Sequence, residues 1–218
     1  DGSSMDWVYG ELGAASFTIE VEGNTFTPPF AQVESVWNAN RGALIYLAKL
    51  ARMPYLLARG PDTNTVAITP ARVDKGARPT LAATLSHDYS GNLYRQNIGG
   101  AEYYIDTPPW AGGSPLPMLP QDAAFDSQSE RVEARVDTSG LATGRHTIYV
   151  RGRGTRTHEG NPDWGPVSAI FLDVVQSGGT PVPAQGTPTS NLPATPIATQ
   201  VVSRTPLPPP AALPGSGS

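Results

Sequence analysis

The 218-residue sequence contains no cysteine, few charged residues and no long apolar run. Without cysteine there is neither a disulfide framework nor a thiolate zinc site. Charged residues make up only 16%, and a net charge of −4 gives no indication of binding to nucleic acid or to an anionic membrane surface. No apolar stretch reaches the roughly 18 residues that a membrane-spanning helix needs. What the chain does have is 23 glycines and 23 prolines, which favour strands, turns and linkers over helical bundles.

The first 22 residues carry the most informative pattern. Gly-Ser-Ser at residues 2–4 is followed by Asp-Trp-Val-Tyr-Gly-Glu-Leu-Gly at residues 6–13 and by Ser-Phe-Thr-Ile-Glu at residues 16–20. Polar and apolar residues alternate from Ser16 to Glu22, which predicts a short strand with Glu20 near its carboxyl end. Taken alone, Glu20 could equally be a solvated carboxylate on an edge strand, since most carboxylates are exposed.

These motifs resemble the C-terminal part of the catalytic domain of zinc carboxypeptidases of the carboxypeptidase A type. Their order and spacing agree over residues 1 to about 60. The resemblance implies that Glu20 is the general base, which takes a proton from water and passes it to the leaving amine. It also implies that Met5 lines the specificity pocket, where an apolar residue goes with apolar or aromatic substrate residues. The alternative for Met5 is simple packing in a core.

Zinc in this family is held by two histidines and a glutamate, which lie upstream of the matching segment. Neither the His-x-x-Glu motif nor the later histidine is found in residues 1–218. The chain also begins without an initiator methionine or a signal peptide. We therefore expect the C-terminal portion of a secreted zinc metallocarboxypeptidase, whose zinc ligands precede residue 1 and whose substrates are peptide or protein C-termini. The 218 residues alone are expected to bind no zinc and to be inactive.

Further along the chain, the pattern changes from helix to strands. Residues 32–53 place apolar side chains every three or four positions, which predicts a helix that Pro54 ends. After residue 61, segments of strand character alternate with turns rich in Gly, Pro, Asp and Asn. The predicted strands are Thr65–Thr69, Thr80–Ser86, Gly100–Asp106, Arg131–Val136, Gly144–Gly152 and Ser168–Val175.

Residues 61–176 resemble the immunoglobulin-like sandwich modules of bacterial and archaeal extracellular proteins, chiefly at residues 100–106 and 144–152. The predicted fold class is an α/β fragment over residues 1–60, with one strand and the C-terminal helix of a carboxypeptidase-type mixed sheet. An all-β immunoglobulin-like sandwich over residues 61–176 is expected to follow. An extracellular or cell-surface location is implied by the same resemblance. Residues 177–218, rich in proline and threonine, are predicted to be a disordered linker or tail.

The alternative function is a non-catalytic extracellular binding or adhesion module that carries a degenerate peptidase remnant. Contact with a cell surface or a polysaccharide could use aromatic faces, for which the candidates are Trp110, Tyr94, Tyr103 and Tyr104. Alternation puts Tyr103 and Tyr104 on opposite faces of a strand, so at least one of them is expected in the core.

Metal binding by residues of this chain has little support in the sequence. The three histidines, His87, His146 and His158, have no partner at a ligand spacing. Four aspartates could contribute to a calcium site in the loops, although no EF-hand-like spacing is present. They are Asp88, Asp106, Asp122 and Asp126.

Overall fold

A computed structural model describes residues 3–21, 29–87 and 94–176. The predicted tail over residues 177–218 lies outside the described residues, as do Glu22 and Asp88.

Helices occupy the first part of the described chain. Helix α1 spans Ser4–Leu12, α2 spans Val33–Leu50 after a 3-10 turn at Phe30–Gln32, and the single-turn α3 spans Pro54–Leu57. The predicted helix over residues 32–53 is therefore confirmed. Pro54 does not merely end it but begins α3, at the first helical position, where the missing N–H costs no hydrogen bond.

Nine strands follow in the described residues. They are β1 Asp62–Thr69, β2 Arg72–Asp74, β3 Thr80–Ser86, β4 Ile98–Ile105, β5 Leu116–Pro120, β6 Ser129–Arg135, β7 Gly144–His158, β8 Asn161–Trp164 and β9 Ser168–Val175. All six predicted strands are confirmed as strands, whereas β2, β5 and β8 were not predicted.

The strands form one continuous hydrogen-bonded order, β1-β3-β6-β5-β4-β7-β9-β2, with β8 paired to β7. Strand β5 joins the two halves, because Leu116–Met118 pair with β4 while Leu119 and Pro120 pair with β6. At the far side β1 lies beside β9, where the hydroxyl of Ser168 donates to the carbonyl of Thr63 at 2.6 Å. The sheet therefore curls into a nearly closed barrel.

The predicted fold class, an α/β fragment followed by an immunoglobulin-like sandwich, is wrong. The strands form a single sheet joined through β5, not two sheets stacked face to face. No strand precedes Asp62 in the described residues, and residues 13–21 have no regular structure. Over residues 16–21, the described part of the predicted strand, the alternation gives no strand, because a strand needs a hydrogen-bonding neighbour and none of the described strands pairs with this segment.

The core lies inside the barrel and is built by alternation. On β3 the buried side chains are Leu81, Ala83 and Leu85, and on β7 they include Ile148 and Val150. Their neighbours in sequence face outward, as a period of two requires. Alternation thus supplies the apolar face that folds inward.

The link after α3 touches the barrel directly. A Cβ on Gly165, between β8 and β9, would lie 1.8 Å from the carbonyl oxygen of Pro61, and one on Gly60 would lie 2.1 Å from the Gly165 nitrogen. Only glycine lets the two backbones approach this closely. The contact fixes the end of α3 against the outer face of the sheet.

Candidate functional site

Met5 lies on α1, a helix whose start is well defined. The Ser3 hydroxyl accepts a hydrogen bond from the Asp6 N–H at 3.2 Å, and the Asp6 carboxylate accepts one from the Ser3 N–H at 2.9 Å, which is a capping box. The hydrogen bond from the Ser3 N–H, and next the one that the Ser3 hydroxyl donates to the same carboxylate, lower the pKa of Asp6. Asp6 therefore stabilises the start of α1. Met5 itself is half-buried, and the Thr18 hydroxyl contacts its Sδ at 3.7 Å.

Glu20 is exposed and lies in the irregular segment formed by residues 13–21. None of the described residues hydrogen-bonds or pairs with its carboxylate. The Thr18–Met5 contact nevertheless brings this segment against α1, so the structure places the two predicted site residues on neighbouring segments. The other end of the segment reaches α2, where the Asn40 side-chain amide lies 3.5 Å from the Val21 carbonyl oxygen.

A second site is a cavity of about 410 Å³ between the helices and the outer face of the sheet. Its helical wall comes from the end of α2 and from α3, and its other walls come from β7, from the 3-10 turn at Pro109–Ala111 and from the β8–β9 loop. The lining residues are Ala48, Lys49, Arg52, Met53, Leu57, Pro109, Trp110, Arg151, Gly165 and Val167.

Arg151 on β7 is fixed by a dense polar network. Its Nε and Nη2 donate to Oε1 of Glu102 at 2.8 and 2.7 Å, and Nη2 also donates to the Tyr104 hydroxyl at 2.8 Å. That hydroxyl in turn donates to Glu102. Burial, and next the hydrogen bond to Glu102, raises the pKa of Tyr104 to about 12. The Arg151 guanidinium also stacks 4.1 Å from the Trp164 ring, so it is both charge-paired and held in place.

Arg52 is the cation of this cavity that lacks a carboxylate partner among the described residues. Its guanidinium lies 5.3 Å from the centre of the Trp110 ring, and Trp110 meets Tyr149 edge-on at 6.2 Å. Lys49 is paired with Asp62 at 3.2 Å. With Lys49 and Arg151 both neutralised, Arg52 gives the cavity one excess positive charge.

The four aromatic residues that the sequence suggested for polysaccharide contact do not form one surface. Trp110 lines the cavity and Tyr104 lies beneath it, but Tyr103 belongs to the core and Tyr94 stacks on Arg59 at 4.5 Å. The expectation that at least one tyrosine of the 103–104 pair belongs to the core is confirmed. The sequence analysis did not identify Arg52 and Arg151 as candidate site residues. Alternation places Glu102 with Tyr104 on β4 and Arg151 with Tyr149 on β7, but only the strand pairing shows that these two faces meet.

His87 belongs to a buried polar cluster at the end of β3, together with Gln96 and Asp163. The Asp163 carboxylate accepts from Arg59 Nε at 3.3 Å and from Gln96 Nε2 at 3.0 Å, while Gln96 Oε1 accepts from the Arg156 N–H at 2.6 Å. Burial is the main reason that the pKa of His87 falls to about 4. The charge of Asp163 raises the pKa and that of Arg156 lowers it by smaller amounts. The cluster ties the link after α3 to β7 and β8.

His146 shows the opposite behaviour. Its Nδ1 lies 2.7 Å from the Asp106 carboxylate and its Nε2 lies 2.9 Å from the Ala142 carbonyl oxygen. Burial lowers the pKa of His146, but the two acceptors outweigh burial, Ala142 first and then Asp106, so the pKa is raised. Both ring nitrogens face acceptors, which favours the imidazolium ion.

We expect these two histidines to titrate on opposite sides of pH 6.5. Because His87 has a folded-state pKa of about 4, the unfolded chain takes up its proton first, and the free energy of unfolding falls as pH drops from 6.5 towards 4, by on the order of 3 kcal/mol. His146 contributes stability below pH 6.5 that is lost as pH rises through its raised pKa. Histidine ring resonances followed by NMR, assigned with His87→Gln and His146→Gln, measure both values. A midpoint for His87 above 6 would contradict the expectation.

In residues 3–21, 29–87 and 94–176, no group of three His, Cys, Asp or Glu side chains is arranged to hold a metal ion. Of the aspartates considered for calcium, Asp106 binds His146 and the Thr147 N–H, and Asp122 accepts from the Ala124 N–H. Among the residues that the structure describes, none of the helices has the length and apolarity needed to cross a bilayer.

Comparisons with known proteins give no family for the chain, because no family model and no curated protein sequence matches it. Among solved structures, an endo-β-1,4-mannanase from Thermotoga petrophila is similar at 13% identity, with a TM-score of 0.33, over 59% of this chain and 22% of the mannanase. An alkylpurine DNA glycosylase from Pseudomonas fluorescens bound to DNA is similar at 15% identity, with a TM-score of 0.31, over 67% of this chain and 40% of the glycosylase. The macrocyclisation catalyst AvmM of alchivemycin A biosynthesis is 10% identical, with a TM-score of 0.31, over 56% of this chain and 90% of AvmM. The chain thus spans well under half of the first two proteins, and similarity this weak supports no assignment.

Proposed function

We propose that this chain is the C-terminal portion of a secreted zinc metallocarboxypeptidase that removes apolar or aromatic residues from peptide C-termini. In this proposal Glu20 is the general base and Met5 lines the pocket for the terminal side chain. The complete protein is the enzyme, and the 218-residue chain alone is inactive.

The observation that carries the proposal is the distribution of exposed apolar side chains. Of the 19 large apolar side chains exposed in the described residues, 14 lie between Trp7 and Leu56, whereas Leu50 is the one apolar side chain of this region that belongs to the core. So many large apolar side chains exposed within one part of the chain are typical of a segment that contacts something else. A segment that packs against the remainder of a catalytic domain has this property.

Helix α2 shows the same feature in its periodicity. Val33, Trp37 and Leu44 lie at helical spacing, and each is about half exposed, at 54%, 54% and 44%. An amphipathic helix of 18 residues gains most of its stability from covering such a face. The remainder of the catalytic domain would cover it here.

The arrangement of the two candidate residues also supports the proposal. The Thr18 hydroxyl, two residues before Glu20, contacts the Met5 sulfur. A general base and a specificity residue have to contact the same bound substrate within one site, the base at the scissile bond and the specificity residue at the terminal side chain. Met5 offers a thioether without charge, which suits an apolar side chain and gives a basic side chain nothing to pair with.

Zinc does not fit the described residues, in which no three metal-binding side chains come together. Within the proposal its ligands therefore belong to residues that precede Asp1. Glu20 is assigned only the handling of a proton.

The experiment that tests the proposal uses the longer polypeptide encoded by the same gene. We expect it to contain about one zinc per chain and to hydrolyse a peptide that ends in phenylalanine much faster than one that ends in lysine. The 218-residue chain, assayed in parallel, is expected to retain no zinc after dialysis against a weak chelator. A longer polypeptide without zinc or peptidase activity would leave the binding-module alternative.

A further inference from the structure

We propose that the cavity between α2, α3 and the sheet is a binding site for a carboxylate attached to an apolar or aromatic group, such as an amino acid or the C-terminus of a peptide. The site is distinct from the Glu20 segment. The proposal does not depend on the function proposed above, because it rests on different residues.

The charge of the cavity selects one carboxylate. Lys49 is neutralised by Asp62 and Arg151 by Glu102, which leaves the Arg52 guanidinium as the excess charge in this part of the described chain. A guanidinium binds a carboxylate through two parallel hydrogen bonds, so Arg52 suits a singly charged carboxylate. A phosphate dianion would need a second unpaired cation for the same neutralisation.

The walls of the cavity select the other half of the ligand. Met53, Leu57, Val167 and the ring of Trp110 present apolar surface beside Arg52. A sugar acid would place its hydroxyl groups against these aliphatic and thioether atoms and leave them without hydrogen-bond partners, which is costly. An apolar or aromatic side chain has no such cost, and a volume of about 410 Å³ is within the range of small-molecule sites.

The cavity is also held open before a ligand arrives. Arg151 is fixed by Glu102, Tyr104 and Trp164, and the Gly60–Gly165 backbone contact fixes the end of α3. A preformed site loses little free energy to ordering when it binds.

The test measures binding of N-acetyl-phenylalanine to the 218-residue chain by titration calorimetry, with the Trp110 indole N–H followed by NMR to locate the site. We expect one molecule per chain, a shift of the Trp110 signal, and binding weakened roughly 10- to 100-fold by Arg52→Gln, which removes a charged hydrogen-bonding partner. Arg41→Gln, at an exposed arginine of α2 that does not line the cavity, is the matched control and should leave binding unchanged. Trp110→Phe identifies the indole signal.

Four further ligands decide the chemical class and its source. N-acetyl-phenylalaninamide lacks the carboxylate and N-acetyl-glycine lacks the apolar side chain, so both should bind at least tenfold more weakly. Glucuronic acid should bind more weakly as well. A peptide with C-terminal phenylalanine that binds as tightly as the single residue identifies peptide C-termini as the ligand, and a much weaker peptide identifies the free acid. No binding of N-acetyl-phenylalanine, equal binding of its amide, tighter glucuronic acid, or equal losses in Arg52→Gln and Arg41→Gln would each overturn the proposal.

Discussion

Replacing Glu20 by glutamine in the longer polypeptide that we propose to be the carboxypeptidase should reduce kcat by a factor on the order of 10² to 10⁴. An amide is nearly isosteric with the carboxylate but cannot accept a proton from the attacking water. Substrate binding and zinc content should stay close to wild type, since in our proposal Glu20 neither holds metal nor grips the substrate. The measurement is kcat/KM on a peptide that ends in phenylalanine, together with metal analysis of the same preparation.

Glu11→Gln is the control for this substitution. Glu11 is exposed on α1, the helix just before the segment that contains Glu20, so the variant removes an identical charge without removing the general base. We expect it to keep most of the activity. If both variants lose activity equally, or if Glu20→Gln retains more than a tenth of it, Glu20 does not have the proposed role.

Replacing Asp163 by alanine should destabilise the barrel by about 3–5 kcal/mol, the range typical of a buried ion pair that loses one partner. The Asp163 side chain is only 4% exposed, and its removal takes this acceptor from the Arg59 guanidinium and one of two acceptors from the Gln96 amide. It should also lower the pKa of His87 further, because the charge of Asp163 raises that pKa. Unfolding by urea, followed by tryptophan fluorescence, gives the change in free energy.

The pair formed by Arg78 and Asp137 provides the matched comparison. Its distance of 3.1 Å is similar, but its side chains are 68% and 50% exposed. Exposed pairs contribute about 0–1 kcal/mol, so Asp137→Ala should change stability little. Equal effects of the two alanine substitutions would show that burial is not what makes the Asp163 pair important.

The sequence predicted the strands of the barrel better than their arrangement. Strands β3 and β9 were predicted with the bounds that they have, because local alternation reports a buried face. Strands β5 and β8 were missed because prolines interrupt them, and proline in a short run argues against a strand. The order of the strands in the sheet could not be predicted. Strand β2 pairs with β9, about a hundred residues further along the chain, and no local sequence pattern specifies this pairing.

The same division applies to the sites. Glu20 and Met5 could be singled out because they belong to a recognisable motif, although the predicted strand around Glu20 is absent from the described residues. The cavity could not be found in this way. Its two key cations, Arg52 in the turn after α2 and Arg151 on β7, are about a hundred residues apart in sequence, and the contact of the helices with the sheet brings them to one place.

Helix α2 contributes to two surfaces at once. Lys49 in its last turn and Arg52 in the turn that follows line the cavity, while Val33, Trp37 and Leu44 carry the apolar face that we assign to contact with the rest of the catalytic domain. A rotation or shift of this one rigid element would alter both surfaces together. A ligand in the cavity that favours one position of α2 would therefore change the affinity of the apolar face for its partner, and the partner would change the ligand's affinity by the same factor. Such reciprocity would turn a pocket on the barrel into a means of tuning catalysis at a distance.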